Sequence, residues 1–315
     1  ALPMPMQVQP APNPRLEEAQ QRKTWGAATS DALSARYTAV ADDAQQSAKK
    51  REAAMIFAVA EGHINDNEDF DAALQAGTQA LEMFKDLGDI EGVSDSLRVV
   101  VDAMRLASAK KEEKPDEALR LASEELVWFR EQGQKRGQAS MLLALARVNT
   151  SGKRGVKDRD QGVRQAKEAL KIYRELSDKP MEGAVLLVLG ELYIYVKSFQ
   201  EAIGAANKAL AIFEDAEDSR SEARSLHLLA EARFGNRQME GGKQAADDAI
   251  AIWTELGLRR QEAIEHLSVA RWHAEEESLR STACFVFRGN PKRLMYPCDI
   301  RPKMHHGISA TRYST

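Results

Sequence analysis

Apolar residues in the segment FQEAIGAANKALAIFEDA fall at Ala202, Ile203, Ala206, Ala209, Leu210 and Phe213. This i, i+3, i+4, i+7 spacing places them on one stripe of an α-helix. The phrase recurs along the chain and ends each time near an aromatic residue: Phe84, Phe129, Tyr173, Phe213 and Trp253. The steps between these residues are 45, 44, 40 and 40. An apolar pair stands upstream at Ala80-Leu81, Ala169-Leu170, Ala209-Leu210 and Ala249-Ile250, with Glu125-Leu126 the exception. Thirteen residues after each aromatic comes the core of a second helix, at Leu97, Leu142, Leu186, Leu226 and His266. His266 takes a phase held elsewhere by Leu, which predicts a core or semi-buried histidine. A period near forty residues predicts an all-α solenoid of stacked antiparallel helix pairs, because no pair can bury its apolar stripe alone.

Polar breaks punctuate the pairs at Gly88-Asp89, Ser177-Asp178-Lys179-Pro180, Glu217-Asp218-Ser219 and Leu256-Gly257. Gly, Asp and Ser favour helix ends and caps, so these are turns between helices. Two longer connections, at 108–117 and 149–161, account for the wider first two steps. The second holds Lys153, Arg154, Lys157 and Arg159. The plainer reading is a solvated charged loop; the sharper one is a contact for a partner or an anion. Upstream, REAAMIFAVAEGHI at 51–64 aligns with SEARSLHLLAEARF at 221–234, including the Ala-Glu pairs Ala60-Glu61 and Ala230-Glu231. A half-formed repeat therefore precedes the five clear ones. Five prolines within residues 1–14 predict an extended arm, residues 15–276 the repeat domain, and residues 277–315 a basic irregular tail.

Composition narrows the function classes. Only 6% of residues are aromatic while Ala is abundant, which suits closely stacked helices. The net charge of −4 divides into +5 on residues 277–315 and −9 on residues 1–276. An acidic body is a poor nucleic-acid ligand, since duplex affinity rests on Lys and Arg against phosphates. The most apolar stretch, 185–196, is too short to span a bilayer and contains Glu191. Two cysteines rule out a disulfide framework and fit a reducing compartment. The expected location is cytoplasmic, with an organelle lumen reached through a cleaved leader left open.

The segment VLLVLGELYIYVKSFQEAIGAANKALAIFED resembles the tetratricopeptide (TPR) family, with Leu189-Gly190, Tyr193, Ala202 and Ala209 at the motif's packing positions. LGDIEGVSDSL at 87–97 resembles a turn common in the long-period subclass of about forty residues, as in kinesin light chains and spindle-orientation adaptors. The position of Gly190 holds Val101, Ala146, Ala230 and Ala270 in the other repeats. The resemblance covers about 51–276. It implies a right-handed α-solenoid whose first helices line a concave groove.

Counted from Gly190, the positions implied to face a ligand are Asp95, Arg98, Asp102 and Arg105, then Leu143 and Arg147. Leu187, Glu191, Ile194 and Tyr195 follow, then Arg224, His227, Glu231 and Phe234, and last Leu267 and Arg271. Such a mixture suits an extended or helical peptide carrying charges and hydrophobic anchors. The carboxylate-holding Lys and Asn of the family's chaperone-tail binders are replaced here by Glu, Asp or Arg, which argues against that ligand.

Enzymatic readings find little support. His63, His227, His266 and His273 make no HExxH motif, and EGGK at 240–243 is no phosphate loop. Cys284, Cys298, His305 and His306 lack zinc-site spacing. The sequence is thus expected to encode a non-catalytic adaptor for a protein or peptide partner, with no cofactor. The alternative is a structural subunit that uses its edges, N-terminal arm and C-terminal tail as contacts.

Overall fold

The computed structural model describes residues 32–64, 69–150 and 156–288, which form helices joined by short connections. In chain order these are α1 (Ala32–Asp42), α2 (Ala48–Gly62), α3 (Phe70–Leu87), α4 (Ile90–Lys110), α5 (Asp116–Glu131) and α6 (Lys135–Thr150). They continue with α7 (Val156–Glu175), α8 (Lys179–Tyr195), α9 (Phe199–Asp215), α10 (Ser219–Gly235), α11 (Met239–Glu255) and α12 (Arg259–Arg288). There is no strand among the described residues. From α2 to α11 successive helices pack on one another, and α2, α4, α6, α8 and α10 also pack among themselves as an inner row. The fold is an all-α solenoid of stacked helix pairs. The proline arm at 1–14 lies outside the described residues.

One local design repeats at the turns into α4, α6, α8, α10 and α12. Four residues after each aromatic the chain enters the left-handed region, at Gly88, Gly133, Ser177, Glu217 and Gly257. The next amide donates back to the aromatic's own carbonyl, as Asp89 does to Phe84 and Asp178 to Tyr173. This double closure ends the outer helix. Asp89, Asp178 and Asp218 then cap the inner helix by accepting from the amides of Gly92, Met181 and Ser221. An Asp cap contributes about 1 kcal/mol.

The aromatic ladder is core. Phe84, Phe129, Tyr173, Phe213 and Trp253 are all buried. Each full burial contributes about 1.5–3 kcal/mol. Phe84 and Phe129 lie against Gly92 and Gly137, where a Cβ would overlap the ring. Tyr173 instead shares a hydrogen bond of 2.9 Å with Ser140. Val101 is fully buried, so its extra methyl groups are absorbed where other repeats hold Gly or Ala.

Two expectations change at the end of the repeats. The chain divides into compact units Ala1–Leu267 and Ser268–Thr315. Helix α12 runs to Arg288, so the first residues of the expected irregular tail are helical, and 289–315 lie outside the described residues. His266, expected in the core, is exposed, while its neighbour Glu265 is buried. In earlier repeats the equivalent Leu186 and Leu226 cluster with Ala209 and Phe213 on α9 and with Ala249 and Trp253 on α11, the helices that follow their own. Helix α12 has no such successor among the described residues.

Candidate functional site

The inner row of helices lines an open groove with about 630 Å3 of empty space, part of it continuous with solvent. Leu187 and Ala184 give it an apolar floor, with the buried Leu143 and Met181 directly beneath, and Arg98, Asp102, Arg147 and Arg224 give it charged walls. The amphipathic period explains this lining. Pro180, Ala184, Leu187, Glu191 and Tyr195 are spaced three or four apart and form one stripe of α8.

Ion pairs close the first half of the inner face. Arg98 bonds Glu61, and both side chains are buried. Asp102, also buried, accepts from Arg147 at 2.7 Å and Arg105 at 3.3 Å, with Arg98 at 3.5 Å. Burial alone would raise the Asp102 carboxyl, but the attraction of Arg147, Arg105 and Arg98 prevails and lowers it. For Arg98 the desolvation of the guanidinium is outweighed by Glu61, Asp102 and Asp95, which hold it charged.

A second set of bonds ties the helix starts together. Tyr37 on α1 donates to Asp95 at 2.9 Å, and Arg136 on α6 donates to the same oxygen at 3.0 Å. Arg136 also bonds Asp178, the cap of α8. Here too burial opposes the charge on Arg136, and Asp95 and Asp178 overcome it. Burial first, then Asp95, pushes the Tyr37 hydroxyl well above its ordinary value, so it stays a donor.

The second half, on α8 and α10, is open. Glu191 makes no direct ion pair or hydrogen bond among the described residues. Its side chain reaches water, yet the surrounding groove walls desolvate it enough to raise its carboxyl. Arg147 and Arg105 oppose that rise, and Glu231 adds to it. Tyr195 is 47% exposed, and the Arg159 guanidinium lies 4.5 Å from its ring centroid. His227 and Glu265 are 2.6 Å apart. Desolvation disfavours the imidazolium, but the bond to Glu265 and the charges of Glu265, Glu231 and Glu191 leave the imidazole pKa raised.

The structure sorts the residues read from the sequence. Arg98, Asp102, Leu143, Arg147, Leu187 and Arg224 line the groove. Arg105, Glu191, Tyr195, His227 and Glu231 are linked to them through the neighbouring charges. Asp95 is corrected: it is wholly buried and serves Tyr37 and Arg136. Arg98 and Asp102 are corrected in part, since they border the groove but are spent on buried pairs. Phe234 is also buried, against Gly242. Leu267 is 71% exposed, and Arg271 belongs to the second unit.

Glu61, Tyr37, Arg136 and Asp178 escaped the sequence reading, although Glu61 stands in the Ala-Glu pair shared with Glu231. Of the basic residues expected in a loop at 149–161, Lys153 and Arg154 lie outside the described residues, whereas Lys157 and Arg159 stand on α7, and Arg159 supplies the cation on Tyr195. No group of potential metal ligands occurs among the described residues, which exclude Cys298, His305 and His306. No described helix is long and apolar enough to cross a membrane.

Comparison with known proteins gives the fold a relative. No protein-family model matches the chain, and no curated protein matches its sequence. Among solved structures the chain is similar to the crystal structure of a Rap protein complexed with competence and sporulation factor. The two are 16% identical with a TM-score of 0.60, over 87% of this chain and 73% of that one. At that identity the likeness concerns the fold: a TPR-like helical repeat.

Proposed function

We propose that this chain is a non-catalytic adaptor that binds a segment of a protein partner in its inner groove. The carrying observation is the groove itself: an apolar floor on α6 and α8 with charged walls from α4, α6 and α10, and the carboxylate of Glu191 one turn beyond Leu187 on α8. Binding needs an apolar anchor and a few oriented polar groups, and both are present. The similar Rap structure, described as a complex with a factor, adds support by analogy of fold.

In this reading the chain works without cofactor or nucleic acid, in the cytoplasm, as a long-period TPR protein. The groove residues are those named from the sequence, without Asp95 and Phe234. Chaperone tails are not its ligands, because the expected carboxylate-holding residues are replaced.

The second reading, a structural subunit, is favoured by the exposed Ile264 and Leu267 near the end of the repeats. Pull-down with the full chain separates the two. Leu187→Glu, checked for an unchanged melting temperature, should lose the proteins retained by the wild type, and removal of 289–315 should not. The opposite pattern would favour the subunit reading.

A further inference from the structure

Equivalent positions on successive inner helices hold Glu61, Asp102, Arg147, Glu191 and Glu231. The acids on α2 and α4 are cancelled by Arg98, which stands one turn earlier on α4. The positions equivalent to Arg98 on α6, α8 and α10 are Leu143, Leu187 and His227. On α8, therefore, an apolar residue sits one turn before an uncancelled carboxylate. Burial raises the Glu191 carboxyl and Glu231 adds to the rise, while Arg147, Arg105 and His227 oppose it. The opposing cations are His227, bonded to Glu265, and Arg147, bonded to Asp102. Arg105 also opposes from Asp102, and Arg159 lies over Tyr195. Those four already have partners, whereas Glu191 has none.

Resting on the groove reading above, we infer that the partner is an extended segment carrying an apolar side chain and a Lys or Arg two positions apart. The apolar group seats on Leu187 and the cation on Glu191, beside Tyr195. The spacing follows from geometry. Leu187 and Glu191 are separated by about 6 Å along the helix. Side chains two apart on an extended chain face the same way at about 6.7 Å. A cation at Glu191 relieves the repulsion from Glu231, and the half-exposed Tyr195 supplies an apolar wall for the side-chain stem.

The test is selection from a random-peptide display library on the full chain, followed by a double-mutant cycle on the best binder. Selected sequences should share the apolar-x-basic or basic-x-apolar pattern. Glu191→Gln should weaken the binder about tenfold, as should replacing its basic residue by Gln, and the two changes together should cost no more than either alone. Binders lost in Leu187→Glu but lacking a basic residue, or additive losses in the cycle, would overturn this inference and leave groove binding standing. No binders, or binders indifferent to Leu187→Glu, would overturn both.

Discussion

The inner face carries one ring of equivalent positions that is treated differently in its two halves. On α2 and α4 the acids Glu61 and Asp102 are buried against arginines. On α8 and α10 Glu191 is open and unpaired, and Glu231 is half-buried beside it. The difference comes from the neighbouring position, Arg98 in one case and Leu187 or His227 in the others. The turns follow the same division. Those leading into α4 and α6 use Gly88 and Gly133 in the left-handed region, whereas those leading into α8 and α10 force Ser177 and Glu217 into it. The first half buries its inner charges in pairs and the second leaves carboxylate charge exposed, while left-handed non-glycine backbone occurs once in the first half, at Glu112, and repeatedly from α7 onward. Sites that must meet a partner commonly carry such costs.

The largest expected effect tests the closed half. Arg98→Met leaves Glu61 and Asp102 buried without their shared cation and should destabilise the fold by about 3–5 kcal/mol. Urea denaturation measures it. A loss below 1 kcal/mol would mean that the pairs do not hold this half together.

Strain in the other half gives the next effect. Ser177→Gly and Glu217→Gly should each stabilise by about 0.5–1 kcal/mol, since left-handed backbone penalises a Cβ. The same measurement on Gly88→Ala should show destabilisation of similar size. If both glycine variants lose stability, the two halves do not differ in their turns.

The halves should also respond oppositely to pH. Asp102 has a lowered folded pKa, so its contribution is present above about pH 4 and is lost as pH falls through the folded value. His227 has a raised folded pKa, so its contribution is present below about pH 6.5 and is lost as pH rises through the folded value. Melting temperatures should fall on both sides of this range. His227→Gln should flatten only the alkaline side, and an unchanged alkaline slope would contradict the assignment.

Glu191→Gln should have the smallest effect on folding and the opposite sign from Arg98→Met. The raised carboxyl pKa means that the folded state disfavours the charged form, so removing that charge should stabilise at pH 7, by about 0.5 kcal/mol or less.

The sequence disclosed most of the scaffold because packing is periodic. The phase of Leu97, Leu142, Leu186 and Leu226 located buried positions correctly, and counting from Gly190 reached the groove through Leu143, Leu187 and Arg224. It did not distinguish inward and open from inward and closed. That distinction depends on partners distant along the chain, such as Tyr37 for Asp95 and Glu61 for Arg98. His266 was misjudged for a related reason: its phase is a core phase only where another helix follows to cover it.

The most direct test of the central claim is a crystal structure of the full chain with a display-selected segment. The account expects an extended segment against Leu187, with a basic side chain at Glu191. A segment seated on the outer helices, with the inner groove empty, would contradict it.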